Sequence, residues 1–343
     1  FFNLSGINAA VLGGGVLADG IHNLKLEVED RAGNISHDFL LPLVIDTVAP
    51  PVTITGLDFD GSDTGVEGQP STFTDRITSD TKAGFVGTAE ADAMVRMYAD
   101  GDLISDGVID VSDTYQGLTV AVPLDGNDTF TDGQWNLVGQ FDLNDDDRFP
   151  YDGLRQLGAT AEDLAGNKSE PVYFDFVVDT QGPQITAISA TDYPDYNLIA
   201  PKPAEDGPTP VIDRLSIGVR DLPNRVAGFL TEHPALVEAV AENPGHYLLV
   251  GDHNGVIAVD SVDWIPNPDP PVAGSPARGT IVLSFAAALP DDRYTLIVSD
   301  SLVDPPGNAL DGESNAQQAL GNPLFPSGDG QPGGDFVARF TVD

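Results

Sequence analysis

Carboxylates in clusters are the residues best placed to do chemistry in this sequence. The densest run is Asp142-Leu143-Asn144-Asp145-Asp146-Asp147-Arg148-Phe149-Pro150-Tyr151-Asp152. Oxygen donors at alternate positions, Asp142, Asn144 and Asp146, with Asp152 closing the run, suit a short loop wrapped around a hard dication that takes about seven oxygens. The run lacks the sixth-position Gly and twelfth-position Glu of a helix–loop–helix calcium site, because Asp147 and Gly153 stand there. A solvated acidic turn is the competing reading, although five acids in eleven residues repel one another unless neutralised.

A second cluster, Asp58-Phe59-Asp60-Gly61-Ser62-Asp63, offers Asp58, Asp60 and Asp63 about a dozen residues after Asp46-Thr47. Its counterpart after Asp179 is Asp192 with Asp195. A third element recurs: an Asp-x-x-Gly-Asn turn at Asp30 to Asn34 and again at Asp163 to Asn167, each followed by a closing Asp, Asp46 and Asp179. Gly supplies positive φ in such a turn, and Asp and Asn bond local backbone, so a plain turn explains any one of these residues. Turn and closing Asp are expected near one pole of a module, where they meet the first loop of the next, so that three acidic elements converge.

Other chemistry finds little support. There is no Gly-x-Ser-x-Gly elbow, phosphate-binding loop or His-Glu-x-x-His. The histidines are His22, His37, His233, His246 and His253; the last two flank an apolar run and could pair, but structural roles are the simpler expectation. Acid pairs for glycoside hydrolysis carry no information where Asp and Glu total 54. Trp135 is expected in a core, and Trp264, beside Pro266, is open to stacking on sugar.

What must position these groups is β-structure. Residues 19–50 align without a gap on residues 152–183 at a constant offset of 133, with 13 of 32 pairs identical. A looser third copy runs from Asp292 through Asp304-Pro305-Pro306-Gly307-Asn308 to Val342-Asp343. Each copy is an alternating strand, the turn, and a second alternating strand, as in Leu24, Leu26 and Val28 against Lys25, Glu27 and Glu29. These read as hairpins of two-sheet sandwiches. One helix is predicted, over Pro234 to Glu242, stopped by Asn243-Pro244-Gly245.

Composition agrees. With 37 Gly and 27 Pro in 343 residues and 41% hydrophobic residues, the chain is apolar enough to fold and densely punctuated by turns. A net charge of −39 excludes nucleic-acid binding through phosphate neutralisation. Only 11 of the 54 acids are Glu, a bias toward the poor helix former and frequent Ca²⁺ ligand. A salt-rich habitat would also favour an Asp-rich, Lys-poor surface. Zero Cys excludes disulfides and thiolate sites, and no apolar run reaches the roughly 18 residues of a membrane span. A start on Phe1-Phe2-Asn3 leads us to expect further sequence, including any export signal, upstream.

The ordered set Gly61-Ser62-Asp63-Thr64-Gly65, Phe73 to Asp80, Gly87-Thr88-Ala89-Glu90, Tyr98-Ala99-Asp100-Gly101, Gly133-Gln134-Trp135, Asp163 to Asn167 and Val178-Asp179-Thr180 resembles a bacterial Ig-like repeat of giant secreted adhesins. Tyr294 to Asn308 is similar to the Ig-like modules of S-layer-type proteins. The resemblance implies tandem Ig-like sandwiches: residues 1–46 the last part of one module, 47–179 a complete module, and 180–343 a divergent one with a short helical insertion. At 133 residues the repeat is long, and the extra sequence is expected at about Leu103 to Thr131 and Phe141 to Tyr151. The resemblance also implies Ca²⁺ at the junctions, held by Asp30, Asn34, Asp46, Asp163, Asn167 and Asp179.

The function expected from this is a non-enzymatic, Ca²⁺-stiffened spacer or stalk in a secreted bacterial surface protein. Its partners would be flanking modules of the same chain, with neighbouring copies in a filament or a surface glycan or protein as further possibilities. Accessory modules of a secreted polysaccharide-degrading enzyme, or a carbohydrate- or protein-binding tip in residues 180–343, are the alternatives.

Overall fold

The computed structural model describes residues 17–57, 61–99, 114–123, 133–144, 152–199, 211–229, 233–267, 271–313 and 323–342. The described residues are nearly all β, with 47% strand against 4% helix, as the period-2 patterning requires. The first element is an antiparallel hairpin of β1 (Gly20–Leu26) and β2 (Phe39–Ile45). Nine strands follow: β3 (Val52–Leu57), β4 (Ile77–Thr78), β5 (Gly84–Ala89), β6 (Met94–Ala99), β7 (Thr114–Val120), β8 (Val122–Pro123), β9 (Gly133–Val138), β10 (Gly153–Glu162) and β11 (Val172–Val178). They form two sheets, β3-β5-β9-β8 and β4-β11-β10-β6-β7. Phe85 and Trp135 from the first sheet and Met97, Leu157 and Phe176 from the second meet in one core.

A C-terminal unit repeats this plan with β12 (Gln184–Ala190), β13 (Tyr193–Asn197), β14 (Arg214–Asp221), β15 (Tyr247–Gly251), β16 (Gly255–Ile257), β17 (Ser261–Pro266), β18 (Ala277–Ser284), β19 (Asp292–Val298) and β20 (Phe336–Val342). Its sheets are β13-β12-β14-β18-β17 and β16-β15-β19-β20. Apart from the added edge strands β4 and β13, the two units have one topology, strand for strand. Tyr294, Leu296, Val298, Phe336, Ala338, Phe340 and Val342 all lie in the second core. β7 corresponds to β16 and β8 to β17, so within the stretch Leu103 to Thr131, expected as extra sequence, residues 114–120 and 122–123 supply strands of the shared plan.

The 133-residue offset extends to hydrogen-bond register. Gly20 pairs with Ile45 and Leu26 with Phe39; Gly153 pairs with Val178 and Ala159 with Val172. The environments differ. Leu157, Phe176 and Val178 are fully buried, whereas their counterparts Leu24, Leu43 and Ile45 stay partly exposed, because among the described residues no second sheet faces β1 and β2.

The predicted helix is shorter than expected. Of the stretch Pro234 to Glu242, only α1 (Glu238–Ala241) is helical. Ala235 and Leu236 are instead buried in the core, and the Val237 amide donates to Val303 O, which holds the chain extended up to the helix start. Both tryptophans are core residues: Trp135 is 3% and Trp264 7% exposed. Close approach requires glycine beside each, since a Cβ on Gly87 or on Gly279 would stand 2.5 Å or less from the indole of Trp135 or Trp264. That burial leaves Trp264 little surface for stacking on sugar.

Candidate metal centres at two junctions

The Asp-x-x-Gly-Asn turn is built the same way three times. In the second copy the Asn167 amide donates to Asp163 Oδ1 and its Nδ2 to Asp163 Oδ2, both at 2.8 Å. Asn34 with Asp30 and Asn308 with Asp304 repeat the clamp at 2.7–2.9 Å. Gly33, Gly166 and Gly307 sit at φ 86°, 92° and 91°, the left-handed backbone that the turn needs.

The remaining Asn hydrogen reaches another unit. Asn167 Nδ2 donates to Asp46 O at 3.1 Å, and Asn308 Nδ2 to Asp179 O at 3.0 Å. Each of these two turns thus grips the closing Asp of the unit before it. This corrects the expected geometry: within one unit the turn and the closing Asp lie at opposite poles, because the seven residues of β11 run about 23 Å between them. β3 likewise carries the chain away from Asp46. The Gly61–Asp63 loop therefore lies at the far pole, where Thr78 Oγ1 donates to Ser62 O, and nearby Ser79 Oγ lies 3.5 Å from Pro306 O. Asp192, past the far end of β12, is not brought to the junction; it pairs with Arg214 at 2.6 Å.

Two clusters of possible metal ligands result at equivalent positions. At the first junction Asp46, Glu90 and Asp163 place one carboxylate oxygen each within 4.8 Å of one another. At the second, one carboxylate oxygen each from Asp179 and Asp221 and a ring nitrogen of His233 do the same. Glu90 follows β5 and Asp221 ends β14, the equivalent strands. Asp304, the equivalent of Asp163, faces Asp179 and Asp221 closely enough for their charges to interact.

The electrostatics of the two differ. Burial tends to raise Asp163, but the hydrogen bonds from Asn167, Gly166 and Ala165 outweigh it and hold the carboxyl below its usual range. Glu90 is raised by burial and then by the charges of Asp163 and Asp46. At the second junction Asp179, Asp221 and Asp304 are at most 1% exposed, and all three are pushed well above the ordinary range, first by burial and then by a neighbouring carboxylate. Asp179 Oδ2, both Asp221 oxygens and both His233 nitrogens have no hydrogen-bond partner. Buried polar atoms without partners cost stability unless something fills the gap between them.

A third cluster, Asp311, Glu313 and Asp329, lies within the C-terminal unit. Asp311 accepts from the amides of Asp329 and Gly330 and from Gln184 Nε2, while Glu313 Oε2 is buried without a partner.

The remaining expected ligands are scattered. Asp30 and Asn34 form an exposed turn with no cluster around it among the described residues. Asp142 accepts from Thr81 Oγ1 at 2.9 Å with Lys82 Nζ at 3.7 Å, whereas Asn144 and Asp152 both hold Thr180, at 3.1 Å and 2.7 Å. Asp58, Asp60 and Asp146 fall outside the described residues. His253 pairs with Asp292 and His246 lies 3.3 Å from Asn243, so the two do not pair with each other. Sequence reading missed Glu90, Asp221, His233, Asp311, Glu313 and Asp329. The one usable signal was the glycine-rich acidic run Gly328-Asp329-Gly330-Gln331-Pro332-Gly333-Gly334.

Asp63 is 8% exposed with Oδ1 unpartnered, and burial pushes it up to about 6 against the opposing influence of Arg76. An acid raised above its unfolded value of 3.8 binds its proton more tightly when folded, so its contribution is most favourable below about pH 4 and is lost as pH rises toward 6. Asp63→Asn is expected to stabilise the protein above pH 6 by on the order of 1 kcal/mol and to have no effect near pH 4. Denaturant titrations at both pH values check this; a variant less stable than wild type at pH 7.5 would contradict it.

Comparison with protein-family models and with curated proteins gives no match for this chain.

Proposed function

We propose that the chain is a Ca²⁺-stiffened spacer, a stalk segment of a large extracellular bacterial surface protein such as an adhesin or surface filament, without catalytic activity of its own. In this reading residues 1–46 close one Ig-like module, 47–179 form a second and 180–343 a third. The strand orders β3-β5-β9-β8 and β11-β10-β6-β7 support it, since they follow the A-B-E-D and G-F-C orders of immunoglobulin domains with one further edge strand. The observation that carries it is the repeated junction, where an Asn of one turn grips the preceding closing Asp beside a cluster of acids. A contact that recurs at successive boundaries is what a rod needs.

Ca²⁺ fits the first junction because its donors are all carboxylate or carbonyl oxygen, the ligands of a hard cation. A cation bound only by the folded state stabilises it by RT ln(1 + [L]/Kd); at millimolar Ca²⁺ and a Kd of about 10⁻⁴ M that is on the order of 1 kcal/mol per site. The expected result is a higher melting temperature and a more extended scattering envelope in Ca²⁺ than in chelator, with Mg²⁺ a poor substitute. Asp46→Ala combined with Asp163→Ala removes the first junction's share. Superimposable curves in Ca²⁺ and chelator would reject the reading.

A further inference from the structure

We infer that the second junction is a site for a borderline transition-metal dication of the Zn²⁺ class, so that the two joints of this chain select different metals. The inference rests on reading the junctions as cation sites and adds which cation the second one takes. Its donor set is unlike the first: Asp179 Oδ2 and Asp221 Oδ2 are joined by the Nε2 of His233, at 3.4 Å and 3.7 Å respectively. Ligands about 2.0 Å from a tetrahedral metal lie about 3.3 Å apart, close to the two spacings from Nε2, and one ligand atom of each of the three residues lies within 4.8 Å of the other two. None of the three has another partner, and all belong to side chains that are at most 1% exposed.

Imidazole is the discriminating ligand. It suits Zn²⁺ and its neighbours, whereas Ca²⁺ takes oxygen. A Ca²⁺ ion also asks for six to eight oxygens, whereas one of the three clustered donors here is an imidazole nitrogen. The histidine arrives on an insertion particular to the C-terminal unit. Where the middle unit passes from β5 to β6 through Glu90–Ala93, the C-terminal unit places residues 222–246 between β14 and β15, and this segment supplies His233 together with Arg225, whose charge acts on Asp221. The first junction has no histidine among its clustered ligands.

Co²⁺ serves as the probe, titrated into the full chain in excess Ca²⁺ and followed by its visible ligand-field absorption. One equivalent is expected to bind, to be displaced by Zn²⁺ and to resist a hundredfold excess of Ca²⁺. His233→Gln should weaken Co²⁺ binding more than about 100-fold, while His253→Gln, at the exposed pair with Asp292, leaves it unchanged. Imidazole ¹⁵N spectra of the unaltered protein, in which Zn²⁺ should shift the Nε2 of one of the five histidines, give a readout independent of any variant's folding. Displacement of Co²⁺ by equimolar Ca²⁺, retention of binding in His233→Gln, loss of it in His253→Gln, or no histidine shift would overturn the assignment. The Ca²⁺ response of Asp46→Ala with Asp163→Ala is read separately, so failure here is distinguishable from failure of the Ca²⁺ joint.

Discussion

Asp221→Asn is expected to raise the melting temperature in chelator and to lower it, relative to wild type, once the metal is restored. Three carboxylates buried together at the second junction repel one another and lack solvent, and Asp221 has neither oxygen hydrogen-bonded. Removing its charge relieves both costs and gives up the attraction to Arg225, for a net gain on the order of 1–4 kcal/mol, or several degrees for a unit of this size. With a dication in place the same charge is a ligand, so the sign reverses. The pH dependence follows from the raised carboxyls. All three bind protons more tightly in the folded state, so metal-free wild type loses stability as pH rises from about 4, and the gap to the variant opens in that direction. Below pH 4 the two should coincide. Melting curves over pH 3.5–8, in chelator and in Zn²⁺, check the reversal; a variant less stable in chelator at pH 7.5 would mean that the cluster is held by contacts that the charge does not disturb.

The parts of this arrangement legible in the sequence are the local ones. The Asp-x-x-Gly-Asn clamp closes over five residues, so turn chemistry alone identified all three copies. The alternating strands and the shared register of β1–β2 and β10–β11 followed from period and offset. The pole at which each acid sits was not legible, because it depends on how many residues lie in the strand between: β11 carries Asp179 away from its own turn, and β3 carries Asp63 away from Asp46. Asp221 gives no signal as one of 43 aspartates in a chain with 11 Glu among 54 acids, and its equivalence to Glu90 appears only when strands are matched. His233 meets Asp179 across 54 positions of sequence, through an insertion that no repeat announces.

That insertion also closes the second junction by apolar contact. Phe229 is 4% exposed and packs on Ile77 and Val177 of the middle unit, with the Arg76 guanidinium 4.9 Å from its ring centroid. No such side chain bridges the first junction among the described clusters. Coupling between the middle and C-terminal units should therefore depend on Phe229 to a degree that coupling across Asp46 does not. A buried Phe→Ala change costs about 3–5 kcal/mol in a full core, and this three-residue cluster warrants the lower part of that range plus loss of the cation–π contact, about 0.5–2 kcal/mol. Neither main core contains Phe229, so each unit should still fold. The expected consequence of Phe229→Ala is uncoupling: calorimetry that shows the two units melting together in wild type should show two separated transitions in the variant, with cleavage by a protease appearing near residues 180–183. Restoring the ring with Phe229→Tyr or Phe229→Trp should largely rejoin the transitions. A single undisturbed transition in Phe229→Ala would place the coupling in the carboxylate and Asn308 contacts alone.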